Sequence, residues 1–91
     1  MSASAVRVWI SGRVQGVCFR AATCEQAERR GVRGWVRNRA DGSVEAWFEG
    51  ESWAVEQMVD WWHRGPEYAA VDHVAVSPVE PSGASGFFVT R

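Results

Sequence analysis

The chain of 91 residues contains no lysine and no leucine, and Ile10 is its only isoleucine. A nucleotide-binding P-loop ends in Lys-Ser or Lys-Thr to reach the terminal phosphates and magnesium, so the missing lysine argues against nucleoside triphosphates. Without leucine the core must come from fourteen valines, the alanines and the large aromatics, which tilts the fold toward a sheet carrying helices. Nowhere do eighteen apolar residues run together, and Met1–Ala5 has no signal-peptide apolar region, so we expect a cytoplasmic chain without a membrane partner. Charge of one sign is also lacking. Ten arginines face eleven acidic residues for a net charge of −1, which removes the drive for general nucleic-acid binding and makes any anion site local. Only two cysteines occur, Cys18 and Cys24, six apart across a loop-to-helix junction, and we read them as free thiols. With His63 and His73 far along the chain they make no metal-ligand pattern, so no metal and no cofactor are expected.

What is present is organised around Gly12-Arg13-Val14-Gln15-Gly16-Val17-Cys18-Phe19-Arg20. The stretch follows an alternating strand, Val6–Ile10, and precedes a helix over Ala21–Arg30 that Gly31 ends. A glycine-bracketed loop feeding a helix N-terminus can turn consecutive N–H groups inward, and such a concavity attracts anions. The planar guanidinium of Arg20 can close it on two phosphate or carboxylate oxygens at once. The dinucleotide fingerprint lacks its third glycine here. A cysteine phosphatase would want its nucleophile further from the arginine than Cys18 stands.

Further along, Val32–Arg39 and Val44–Gly50 flank Asp41-Gly42, a strong hairpin signal because both residues tolerate the positive φ of a tight turn. Val44, Ala46 and Phe48 share the predicted core face, with Glu45, Trp47 and Glu49 outward. Ser52 is placed to cap a second helix whose Val55, Met58, Val59 and Trp62 follow helical spacing, and Gly65-Pro66 stops it. Trp53 and Trp61 fall off that stripe. In the first helix the expected stripe is Ala21, Cys24 and Ala27. Val71–Val76 reads as a fourth strand, Pro78 and Pro81 as breaks, and Gly86–Thr90 as a short terminal strand. With right-handed crossovers the order βαββαβ gives an α+β, ferredoxin-like two-layer sandwich on a mostly antiparallel sheet, with a short extra C-terminal strand.

The loop Gly12-x-Val14-Gln15-Gly16-Val17-x-Phe19-Arg20, with Gly34-Trp35-Val36-Arg37-Asn38, Gly42-x-Val44 and Gly50, resembles the two signatures of the acylphosphatase family over residues 6–90. The resemblance implies that residues 1–91 form a single acylphosphatase-like domain, a metal-free and likewise cofactor-free hydrolase that splits an acyl phosphate into a carboxylate and inorganic phosphate. It further implies that the backbone amides of Gln15, Gly16, Val17, Cys18, Phe19 and Arg20, with the Arg20 side chain, hold the phosphoryl group. Asn38 would hold the attacking water, and Cys18, at an open position of the pattern, inherits no role of its own. A monomer acting on a small acyl phosphate is expected. Two other readings compete: a phosphate- or partner-binding module without catalysis, and an RNA-binding domain using Trp9, Trp35 and Trp47 on the open sheet face.

Overall fold

A computed structural model describes residues 3–16 and 18–90. Seven elements follow in order: β1 (Ala3–Arg13), α1 (Phe19–Arg30), β2 (Arg33–Asn38), β3 (Val44–Glu51), α2 (Ser52–Arg64), β4 (Ala70–Val79) and β5 (Phe87–Val89). The strands form one sheet in the order β4-β1-β3-β2-β5. The first four pair antiparallel; β5 joins the β2 edge in parallel, placing Phe88 beside Trp35 and Val89 beside Val36. This is the ferredoxin-like α+β sandwich with its extra terminal strand. Among the described residues no helix is long and apolar enough to cross a membrane.

Alternation decides which side chains meet the helices. Val8 and Ile10 of β1, Val44, Ala46 and Phe48 of β3, and Val36 of β2 are all buried beneath α1 and α2. Aromatic rings supply the volume that leucine would give elsewhere. The Trp62 ring stands edge-on to Phe48 and Phe19, with centroids 5.2 and 5.6 Å away. Its indole nitrogen donates to Thr23 Oγ1 at 3.1 Å, and that hydroxyl donates to the Phe19 carbonyl at 2.7 Å, so the one buried N–H of the cluster is satisfied within the α1–α2 contact.

Several local expectations shift. The first helix begins at Phe19, and its buried stripe is Phe19, Thr23 and Ala27 rather than one starting at Ala21, which is exposed. The reason is size: the Phe19 ring inserts between Trp61 and Trp62 and sets the rotation of the helix. Trp61 is accordingly buried, because the last turn of α2 lies against the start of α1. Ser52 is the first residue of α2, with Glu51 at the cap position and no side-chain cap bond from it. Pro78 lies inside β4, opposite Val6, and does not break it. As an edge strand, β4 tolerates a residue without an N–H.

The outer face of the sheet also differs from an open one. Glu45 and Glu49 point away from the helices yet are 0% and 1% exposed. Arg7, Arg37 and Arg39 converge on Glu45. Over Glu49 the C-terminal segment folds down: Ser82 N and Oγ, Gly83 N and Ala84 N all donate to its carboxylate, as does the Trp47 indole. Burial alone would raise the Glu49 carboxyl, but these donors outweigh it and lower its pKa to about 2. The carboxylate thereby anchors the stretch leading into β5.

Candidate active site

From the end of β1 to the start of α1 the backbone is bent at three of the described residues. At Gly12 the β1–β4 register shifts, and a Cβ there would stand 2.2 Å from the Ala70 carbonyl oxygen, so only glycine allows this approach. Gly16 has φ +73 with open space around it, so it is needed for its torsion rather than for room. Cys18 is left-handed as well, at φ 60 and ψ 25, the only non-glycine at positive φ among the described residues. Holding a side-chain-bearing residue there costs about 1–3 kcal/mol, strain that clusters at functional loops.

That torsion shapes the start of α1. The Cys18 carbonyl accepts from Ala22 N at 3.0 Å and opens the helix, but no side chain caps it and no acidic residue stands in its first turn. The leading amides, those of Phe19, Arg20 and Ala21, precede the first intrahelical bond from Ala22. A helix end left bare in this way carries partial positive charge suited to an anion. Phe19 fixes its orientation, since the aromatic cluster locks one flank of the first turn and leaves Arg20 on the exposed flank. Gly65 makes room for this, because a Cβ there would come within 2.5 Å of the Phe19 ring.

Asn38 arrives from the other side. On β2 it shares a face with Gly34 and Val36, opposite Val44, and so it points toward the helix layer at the strand end nearest the loop. Its neighbours Arg37 and Arg39 point to the opposite face, where both bind Glu45. Arg20 and Asn38 thus line one cleft of about 420 Å³, together with Val14, Gly16, Cys18, Phe19, Ala21 and Val89. Among the described residues lining it, Arg20 is the only charged side chain. The Asn38 Oδ1 is buried and has no hydrogen-bond partner among the described residues. An acceptor buried without a partner is costly.

Of the loop positions expected to offer amides, Gln15, Gly16, Cys18, Phe19 and Arg20 lie in the β1–α1 connection or at the start of the helix, whereas Val17 lies outside the described residues. Two contributions were not legible beforehand. The Gln15 side chain donates both amide hydrogens across the hairpin turn, to Arg39 O at 2.8 Å and Ser43 O at 2.9 Å. It therefore ties the loop carrying Arg20 to the turn that follows Asn38. That turn is closed by Arg39 N to Ser43 O at 2.8 Å and by the Asp41 carboxylate, whose pKa is lowered by the Ser43 hydroxyl and amide that donate to it. Val89 reaches the cleft only because β5 pairs in parallel with β2, with Thr90 N bonding Val36 O at 2.9 Å. A glutamine between two bends was the available signal for the first; nothing local signalled the second.

Gly34, the other signature glycine, has a packing role: a Cβ would sit 1.9 Å from the Trp47 carbonyl oxygen, and its N–H bonds Gly86 O at 2.9 Å. Cys18 and Cys24 are free thiols. Cys18 is exposed in the cleft, and burial, then the charge of Glu28, pushes the Cys24 thiol up.

Residues 6–89, which include every element of the cleft, match the family model described as Acylphosphatase. A protein of Gloeobacter violaceus named acylphosphatase is 53% identical over 91 residues, covering 98% of both chains. An acylphosphatase of Rubrobacter xylanophilus is 56% identical over 86 residues, 94% of this chain and 78% of its own. Among solved structures, an acylphosphatase from Coxiella burnetii superposes with a TM-score of 0.93 at 34% identity, covering 97% of this chain and 93% of that one. With the fold, the glycine-bent loop and the match over nearly its whole length in agreement, the chain belongs to the acylphosphatase family.

Proposed function

We infer that this chain hydrolyses acyl phosphates to a carboxylate and inorganic phosphate, with Arg20 and Asn38 as its catalytic side chains. The peripheral phosphoryl oxygens sit in the loop amides from Gln15 to Arg20, and the Arg20 guanidinium closes over them. Charge on those oxygens grows little in a loose phosphoryl-transfer transition state but must be held in place, which preorganised amides and one guanidinium do without rearrangement. Asn38 orients the attacking water through its side-chain carboxamide, in line with the departing carboxylate. A carboxylate leaves as an anion without a proton, so the site works with no general acid, no metal and no cofactor.

The observation that carries this reading is that Arg20 and Asn38, from separate signature segments, line one cleft beside the uncapped start of α1. The chain acts as a single domain, monomeric and cytoplasmic, on a small molecule. The decisive assay is benzoyl phosphate hydrolysis with chelator present, on wild type and Arg20→Ala. Turnover in the first and its near abolition in the second is the expected result. Phosphate binding without turnover in the wild type would instead make this a non-catalytic phosphate-binding module.

A further inference from the structure

On the sheet face away from the helices lies a second cleft, of about 600 Å³, lined by Arg7, Trp35, Arg37, Ser85, Phe88 and Thr90 along with Gly34 and Ala84. It shares no residue with the Arg20 cleft. The alternation of β2 separates the two, since Val36 and Asn38 face one way and Trp35 and Arg37 the other. It lies in the size range of small-molecule sites. One wall exists only because the C-terminal segment is pinned on Glu49 and β5 pairs with β2.

The charge on its floor is one-sided. Three guanidinium groups, those of Arg7, Arg37 and Arg39, converge on the single carboxylate of Glu45, which is fully buried beneath them. Of these only Arg7 and Arg37 line the cleft, Arg39 also facing the Asp41 carboxylate, so one carboxylate answers two cleft arginines, while the Glu49 carboxylate is taken by the C-terminal amides and stands 4.0 Å from Arg33. The surplus is held rigidly. Arg7 is fixed by Glu45 and lies over Trp9, and Arg37 is fixed by Glu45 and lies over Trp35, each about as far from the ring as a cation–π contact allows. Their side chains remain 39% and 34% exposed. Like charges gathered and immobilised in this way repel, and an anion bound between them relieves that repulsion. Beside them Phe88, 60% exposed, offers a large apolar face, and Ser85 and Thr90 offer hydroxyl donors.

We propose that this cleft is a second binding site, distinct from the phosphoryl cradle, that takes a small aromatic carboxylate, its anionic group between Arg7 and Arg37 and its ring against Phe88 and Trp35. A flat ring suits the adjacent Trp35 and Phe88 of paired strands, and a carboxylate suits a guanidinium fork. A neutral aromatic would leave the surplus charge unanswered.

The test is a titration of ¹⁵N-labelled protein with 2-naphthoate and, separately, with neutral 2-naphthamide, following amide and indole N–H shifts. The expected result is saturable movement of the Trp35 indole and of Ser85, Phe88 and Thr90 with naphthoate, far less with the amide, and the same naphthoate binding in Arg20→Ala. Phe88→Ala and Arg37→Gln should each raise the Kd about fivefold or more. Phe88 is mostly exposed, so that variant reports on binding even if loss of Arg37 from the Glu45 cluster unfolds the other. Shifts confined to the Arg20 cleft, equal response to the neutral amide, absence of saturation, or wild-type binding by Phe88→Ala would each overturn the proposal.

Discussion

The Gln15 carboxamide nitrogen donates to the Arg39 carbonyl oxygen at 2.8 Å, which bonds the β1–α1 loop to the residue next to Asn38. Both Nε2 hydrogens are used, the second on Ser43 O, so the link is a clamp with two anchors across the turn. It adds to the direct packing of α1, which carries Arg20, on β2, which carries Asn38.

Gln15→Ala should therefore lower kcat for benzoyl phosphate about 10–100-fold while weakening inorganic phosphate binding much less. Small misplacements of reacting groups carry rate costs of that order, whereas the bends at Gly16 and Cys18 that shape the cradle remain. Gln15→Glu should be worse, because it removes both donors and sets a carboxylate against two carbonyl oxygens. Equal losses in phosphate affinity and kcat would show that the clamp shapes the cradle alone.

Asn38→Ala should reduce kcat about 100–1,000-fold, the usual cost of one preorganised transition-state group, with KM changed little. Stability should hold or rise slightly, because the variant removes an acceptor that is buried without a partner in the free protein. Kinetics on an acyl phosphate beside a thermal melt measures both. A rise in KM with kcat preserved would shift Asn38 from handling water to gripping substrate.

Glu49 ties acid stability to the C-terminal strand. Its folded pKa of about 2 lies below its ordinary value of 4.5, so its contribution is fully present above 4.5 and is lost as pH falls toward 2. Glu49→Ala should flatten stability across that window and cost about 3 kcal/mol at neutral pH, since it strands the amides of Ser82, Gly83 and Ala84. Urea midpoints against pH for both proteins provide the check. Hydrogen exchange at Val89 and Thr90 should rise in the variant, because the anchor leading into β5 is gone.

The Cys18 thiol is exposed in the cleft, and the proposed mechanism uses only the backbone amide of this residue, so Cys18→Ser should retain near-wild-type turnover. Its backbone is the more demanding feature. Cys18→Val places a β-branched residue at φ 60 and should cost about 1–2 kcal/mol in stability, read from the denaturation midpoint. Inactive Cys18→Ser with phosphate binding intact would call for a covalent step at the thiol.

Much of this protein is written in short-range preferences. Gly16, Asp41-Gly42 and Gly31 each answer to local torsions, and valine alternation marks the strands, so the element order could be read directly. Arg20 and Asn38, which line one cleft, could be picked out for the same reason: each stands at a fixed offset inside a local signature. Contacts between residues far apart could not. The Gln15 side chain meets carbonyls 24 and 28 residues away, Trp61 is buried by a helix start forty residues earlier, and Glu45 is covered by arginines from two other strands or strand ends. The segment leading into β5 is held by Glu49, which captures three amides more than thirty residues on. A residue's backbone torsions depend mainly on itself and its neighbours, but the partner of a buried polar group is whichever group packing brings within about 3 Å, and that is decided only when the layers close.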